Sequence, residues 1–301
     1  MKVGFFADGP WSHKSLEKIT KNKKIDISFI VPRYENPDPI LKAWAKKLSV
    51  DFIIEKNINI IESIKKLDAY EADLFVSMSY NQIIKKELLN IPRKGFINCH
   101  AGALPFYRGR SVLNWVLING EIEYGVTVHY IDEGIDTGDI IQQEKYVIDD
   151  KDDYCSLLSK AENNCATLLD NALKNILDNK VNRVKQDSID KVGSYFPQRK
   201  IGDEIINWNQ ESHKIINFVR ALISPGPYAQ SFYKNLGFIK IHNVTNNCIN
   251  SNNLDKPGTI VGLEKNQPII KTLDGYLKIE KFSSENNLIL FNKSDLGYKF
   301  D

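Results

Sequence analysis

Long apolar runs are missing from this 301-residue sequence. The longest, such as Leu74–Val76 and Leu288–Phe291, fall far short of the ~20 residues that a membrane-spanning helix needs. The opening segment, MKVGFFADGP, lacks the apolar stretch and small-residue cleavage site of a secretion signal and reads as a first strand. Cysteine is scarce: Cys99, Cys155, Cys165 and Cys248 are scattered and form no C-x-x-C. That excludes a zinc knuckle and a disulfide scaffold, and it points to a reduced, cytoplasmic setting. No His, Cys, Asp and Glu grouping has ligand spacing, so no metal is expected. Neither G-x-G-x-x-G nor G-x-x-x-x-G-K-S/T occurs, which argues against a dinucleotide dehydrogenase and a P-loop hydrolase. Charge of one sign is lacking as well. Forty basic residues face 38 acidic ones, a net charge of +2, and residues 201–301 hold eleven basic against ten acidic. A strongly cationic nucleic-acid binder is therefore disfavoured.

What is present is an alternation of strands and helices. Val3–Ala7, Ile25–Val31, Asp51–Ile54, Asp73–Ser79 and Gly95–His100 read as buried strands. Between them, Ser12–Asn22, Asp38–Leu48 and Ile58–Leu67 carry helical periods, the second opened by an Asp cap and a Pro at the first helical position. A helix over Ser111–Gly120, strands over Gly125–Ile131 and Ile140–Ile148, and a long helix with Leu158, Ala161, Cys165, Leu169, Ala172 and Ile176 on its apolar face follow. This order predicts an α/β fold, a Rossmann-like mostly parallel sheet with helices on both faces. The pattern breaks between about 187 and 202. A helix over Glu211–Leu222, the turn Ser224–Pro227 and a series of short strands come next, with Asn243–Asn253 read as a loop. They predict a small C-terminal β-barrel, OB-like. The expected division is a catalytic domain over 1–190, a linker over 191–210 and the barrel over 211–301. No internal repeat is present.

On such sheets ligands sit beyond the carboxyl ends of the strands, which draws attention to Asn98-Cys99-His100, Leu104-Pro105, Tyr107-Arg108-Gly109 and Asp136-Thr137-Gly138. Each piece alone has an ordinary reading as a packed strand end, a turn or a surface charge. Asp-Thr-Gly is also an aspartic protease signature, but no second D-T-G or D-S-G is available to share a proton. Taken together the pieces are more telling. Asn98 and His100 are two apart and face the same way on one strand, whereas Cys99 turns away into the core. Asp136 follows another strand and can reach the same edge. An amide N–H, an imidazole and a carboxylate suit acyl transfer to an amine, with no Ser or Cys nucleophile required. The two N–H donors stabilise the oxyanion, each worth roughly 10²–10³ in rate, and the imidazole assists removal of the amine proton.

NCHAGALPFYRGR followed by GVTVHYIDEGIDTGDII resembles the N10-formyltetrahydrofolate-dependent formyltransferase family, whose pattern is N-x-H-x-S-L-L-P and then D-x-G. The resemblance covers nearly the whole chain and includes a C-terminal barrel like that of methionyl-tRNA formyltransferase. It implies a catalytic triad of Asn98, His100 and Asp136. It also implies a folate site with the pterin against Gln82, Ile83 and Ile84 and against Asp132, Glu133, Gly134 and Ile135, held through backbone hydrogen bonds, with Arg110 as a further folate contact. One departure is Gly102 where the family has Ser, so any role of that hydroxyl falls to water or backbone. Tyr107–His129, with SYFPQR (Ser194–Arg199), Ile206–Trp208 and Phe218–Phe232, is similar to formyltransferases acting on nucleotide-linked amino sugars. That implies a dTDP-, UDP- or GDP-linked 3- or 4-amino deoxysugar acceptor for O-antigen or other surface glycans, with Trp11, Tyr107, Tyr195 and Phe196 as candidate substrate contacts. Neither a nucleic-acid nor a membrane partner is expected, and a homodimer contact through the barrel is the family's habit. The rival acceptor is initiator tRNA, which calls for basic surface that the C-terminal third lacks. A folate- or sugar-nucleotide-binding protein without turnover is the non-enzymatic alternative.

Overall fold

The β-branched and aromatic runs near the N-terminus form strands because both of their faces find apolar cover. The computed structural model describes residues 1–233, 237–248, 254–284 and 291–300. It divides into two compact units, one of residues 1–112, 123–147 and 158–197, the other of 113–122, 148–157 and 198–301.

In the first unit, β1 (Lys2–Ala7), β2 (Asp26–Pro32), β3 (Asp51–Phe52), β4 (Leu74–Met78) and β5 (Phe96–His100) are parallel. β6 (Arg108–Gly109) stands apart, and β7 (Glu123–Tyr130) and β8 (Ile140–Val147) complete the main sheet in antiparallel sense. The strand order is β3-β2-β1-β4-β5-β7-β8. The unit's helices are α1 (Gly9–Ile19), α2 (Pro39–Leu48), α3 (Ile61–Asp68) and α4 (Lys86–Leu89); α5 (Val112–Ile118) belongs almost wholly to the second unit, and α6 (Tyr154–Leu177) belongs to the first from residue 158 on. A mostly parallel sheet with helices is thus present as expected. The first helix begins three residues earlier than its polar pattern suggests, because Pro10 fits the first turn, where its missing N–H has no partner to lose. α2 is capped as read from the sequence: Asp38 accepts from the N–H groups of Ile40 (2.7 Å) and Leu41 (3.3 Å).

One face of the central strands carries a buried aromatic cluster. Phe6 lies 4.9 Å from Phe96 and 5.3 Å from Phe75, ring centre to ring centre, and Phe75 lies 5.5 Å from Phe29. Gly4 makes room for it, since a Cβ there would stand 2.3 Å from the Phe29 ring and 2.7 Å from the Phe75 ring. Cys99 on the opposite face of β5 is buried, with its thiol 3.6 Å from the carbonyl of Cys165.

The region beyond the expected barrel boundary is an antiparallel sheet. Between the two sheets, β9 (Tyr195–Phe196) returns to pair in parallel with β6 in the first unit. In the second unit α7 (Ser212–Ala221) precedes β10 (Ala229–Phe232), β11 (Phe238–Asn246), β12 (Ile260–Glu264), β13 (Gln267–Lys271) and β14 (Tyr276–Ser283), ordered β10-β11-β14-β13-β12. Asn243–Asn246, read from composition as the start of a loop, belong to β11, because Ile239 and Ile241 alternate with polar neighbours and an irregularity of register at Asn243 returns Val244 to the buried face. The rest of that segment, 249–253, lies outside the described residues. α7 buries Ile215, Val219 and Ala221, and its first N–H, on Ser212, donates to Asp274 at 2.7 Å. No described helix is long and apolar enough to cross a membrane.

The aromatic cluster supports the strands that end at the carboxyl edge. Phe75→Ala is expected to cost about 3–5 kcal/mol, measured as a lower denaturant midpoint of the full chain.

Candidate active site

β5 ends in Asn98-Cys99-His100, and strand alternation turns Asn98 and His100 to the same side. β7 runs antiparallel beside it, in a register that sets Asn98 opposite His129 and His100 opposite Thr127. The turn after β7 returns Asp136 to this edge in a left-handed backbone conformation, φ 54°. A non-glycine residue held there is strained and needs surrounding contacts to persist.

The side chains converge. Asp136 Oδ2 is 3.6 Å from His100 Nδ1, and its Oδ1 is 3.5 Å from His129 Nε2. The Gly109 N–H donates to Asp136 Oδ2 at 3.0 Å. Burial pushes the Asp136 carboxyl up, but the adjacent imidazoles of His100 and His129 and the Gly109 N–H outweigh it and hold the group well below the usual carboxylate range. His129 Nδ1 sits 2.8 Å from the Tyr130 carbonyl, an acceptor only, so this nitrogen carries a proton. Nε2 lies 3.3 Å from the Asn98 amide nitrogen and 3.5 Å from Asp136 Oδ1, so it accepts from Asn98 when bare and donates to Asp136 when protonated. This contact orients the Asn98 amide and leaves its second N–H to serve another acceptor. His100 Nε2 is 2.6 Å from the carbonyl of Tyr107, so an acceptor faces each of its ring nitrogens.

His129 is the participant that sequence reasoning did not single out. Its signal was present in GVTVHYI, where alternation places it on the same face as Thr127. Gln186 was also missed, and Arg108 and Tyr107, picked out only as part of the Tyr107-Arg108-Gly109 stretch, are joined to the cluster by the fold. The place of the family's Ser is filled: a Cβ at Gly102 would stand 2.5 Å from the Tyr107 carbonyl oxygen and 2.6 Å from His100 Nε2. Backbone, rather than a hydroxyl, occupies that space.

The remaining predicted residues fall in three groups. Gln82 holds its own loop, accepting from Ile58 N–H at 3.1 Å and donating to the Glu55 carbonyl at 3.0 Å. Beside it Ile83 is 71% exposed and Ile84 is buried. Asp132 accepts from the Gly134 N–H at 3.0 Å and from the Thr137 hydroxyl, shaping the turn that carries exposed Glu133 and Ile135. Tyr107 and Phe196 stack on each other with centres 4.7 Å apart, Tyr195 lies under the Arg108 guanidinium at 5.0 Å, and the exposed Arg110 donates its N–H to the Phe196 carbonyl. Trp11 sits in the first turn of α1, half-buried. No group of three or more His, Cys, Asp and Glu among the described residues could hold a metal ion.

Residues 1–173 match the formyl transferase family, and residues 200–290 match the formyl transferase C-terminal domain. The chain belongs to the formyltransferase family. It is a formyl-transferring enzyme by that membership. Methionyl-tRNA formyltransferase of Clostridium tetani is 31% identical over 93% of this chain and 91% of its own length. The bifunctional polymyxin resistance protein ArnA of Wigglesworthia glossinidia brevipalpis is 37% identical over 73% of this chain, a match that spans only 33% of that longer protein. Among solved structures, the N-formyltransferase from Helicobacter canadensis, in complex with folinic acid and dTDP-3-aminofucose, superimposes with a TM-score of 0.69 at 24% identity, covering 94% of this chain and 100% of that one. That likeness establishes the shared fold.

The depressed carboxyl of Asp136 has a signed consequence in this formyltransferase. Its folded pKa lies below the unfolded value of 3.8, so its stabilising contribution is complete above that pH and is lost as pH falls through the folded value. Denaturant midpoints of the wild type and Asp136→Asn should differ by a constant amount above pH 3.8 and converge below it.

Proposed function

We propose that this enzyme moves a formyl group from N10-formyltetrahydrofolate to the amine of a nucleotide-linked amino sugar, with Asn98, His100 and Asp136 as its catalytic residues. The convergence of an amide, two imidazoles and a charged carboxylate at the end of β5 is the observation that carries the chemistry. This donor set fits a formyl donor, because it offers N–H groups to a carbonyl oxygen and a base to an amine, and it needs neither metal nor nucleophile. The folate would lie along the loops of Gln82–Ile84 and Asp132–Ile135. There Ile83 and Ile135, 71% and 58% exposed, offer apolar surface, while the polar side chains are engaged in holding the loops.

The bound folate supplies the formyl carbonyl. The second N–H of Asn98, fixed by His129, is aimed to stabilise charge that develops on a carbonyl oxygen. His100 takes a proton from the incoming amine as its nitrogen bonds to the formyl carbon, is then the cation that Asp136 faces, and returns the proton to N10 as the carbon–N10 bond breaks and tetrahydrofolate leaves. Asp136 stays ionised, orients the ring and balances its charge without itself being protonated.

The near-neutral C-terminal third favours a sugar acceptor over tRNA, since an acceptor stem calls for clustered basic surface. The fold shared with an enzyme solved with dTDP-3-aminofucose supports the same reading. Formylation of initiator tRNA is the second reading, favoured by the 31% identity to a methionyl-tRNA formyltransferase. Incubation with N10-formyltetrahydrofolate, a panel of dTDP-, UDP- and GDP-linked 3- and 4-amino sugars, and aminoacylated initiator tRNA distinguishes them by mass spectrometry. A formylated sugar is the expected product, and product from tRNA alone overturns the sugar assignment. His100→Ala should lower transfer by ~10²-fold or more, within the range for a general acid–base group, while folinic acid still binds. Full activity in that variant would remove His100 from the chemistry.

A further inference from the structure

Gln186 lies between the two stretches that match the family, in a single 3-10 turn, Gln186–Ser188, and it is almost wholly buried. Its amide can face only one way. On one side its oxygen meets Arg108, which has donors and no acceptor: Nε at 3.0 Å and Nη2 at 2.8 Å. On the other its Nε2 amide group donates to two carbonyls, those of Asp136 and Gly138, each at 2.8 Å. The side chain thus grips both ends of the Asp136-Thr137-Gly138 turn. Arg108 is buried too, and its Nη1 is held by the Val192 carbonyl at 3.2 Å and by the Tyr195 hydroxyl at 3.3 Å. The next residue after Arg108 is Gly109, whose N–H donates to the Asp136 carboxylate. One connected set of hydrogen bonds therefore fixes the backbone of Asp136 through Gln186 and its carboxylate through Gly109.

We propose that Gln186, braced by Arg108, is the positioning residue for Asp136. It holds the left-handed φ of 54°, which a non-glycine residue keeps where surrounding contacts fix it, and it sets where the carboxylate stands relative to His100 and His129. Gln186 acts through Asp136 and touches no substrate in this role. The inference rests on the reading of Asp136 as a catalytic carboxylate. A loosened turn misplaces a charged group by a fraction of its contact distance, and displacements of this order near reacting groups cost up to ~10²-fold in rate.

Two substitutions test it in the intact enzyme. Gln186→Glu keeps an acceptor for Arg108 but turns an acceptor toward the carbonyls of Asp136 and Gly138, and Gln186→Met removes every hydrogen bond at similar volume. Steady-state formyl transfer is measured for both, beside Asp136→Asn, with the donor and the acceptor varied in turn and with thermal unfolding followed in parallel. The expected result for Gln186→Glu is a kcat lowered about tenfold or more with both KM values within about twofold of wild type, the split that marks an interaction needed in the transition state and not in ground-state binding. Should Gln186→Met fail to fold, Gln186→Glu still decides the matter. A kcat within about twofold of wild type in a folded Gln186 variant, with Asp136→Asn inactive, overturns the positioning role and leaves the reading of Asp136 standing. Wild-type kcat in Asp136→Asn overturns both.

Discussion

A carboxylate taken out of water has to be compensated on the spot, and the site is organised around that requirement at Asp136. Its desolvation opposes ionisation, and the imidazoles of His100 and His129 with the Gly109 N–H reverse the balance. These partners come from separate parts of the first unit: β5, β7 and β6, with Gln186 from the turn beyond α6. Ordering four segments costs conformational entropy. The charge–charge and hydrogen-bond contacts at Asp136 are what hold them to one arrangement, and a left-handed aspartate persists because so many contacts converge on it.

The sheet provides the rigidity behind this. β5 and β7 are antiparallel neighbours, so Asn98 and His129 are fixed opposite each other by the ladder itself. A one-residue slip would turn both side chains to the other face and bring Cys99 forward. The aromatic cluster of Phe6, Phe29, Phe75 and Phe96 makes such a slip costly, because Phe96 lies on the same face of β5 as Asn98 and His100 and would lose its apolar cover in the same shift. Close packing and hydrogen bonding therefore fix the same register of β5.

Within the family the chain shows a local exchange of parts. Where the resemblance leads one to expect a serine, Gly102 leaves space that the Tyr107 carbonyl and the His100 ring occupy together. The stacked pair Tyr107 and Phe196 and the pairing of β6 with β9 hold that carbonyl in place. Aromatic residues read from the sequence as surfaces for a ligand thus take part in shaping the loop that reaches the imidazole.

Much of this was legible before any coordinates. Hydrophobic period and turn residues are local, so the strand–helix alternation, the cap at Asp38 and the short strands of the C-terminal region could be read directly, while their antiparallel order in one sheet came from the structure. The spacing of Asn98, His100 and Asp136 pointed to the family. The start of α1 and the asparagine-bearing end of β11 escaped because first-turn proline and strand-edge polarity are ambiguous in composition alone. Only the tertiary structure decided that His129 orients Asn98, that the Tyr107 carbonyl meets His100, and that Gln186 and Arg108 clamp the turn of Asp136. Those contacts join residues 31, 7, 50 and 78 positions apart. Hydrogen bonding between side chains and distant backbone has no period in the sequence, and it becomes determinate only when the sheet has fixed where each strand ends.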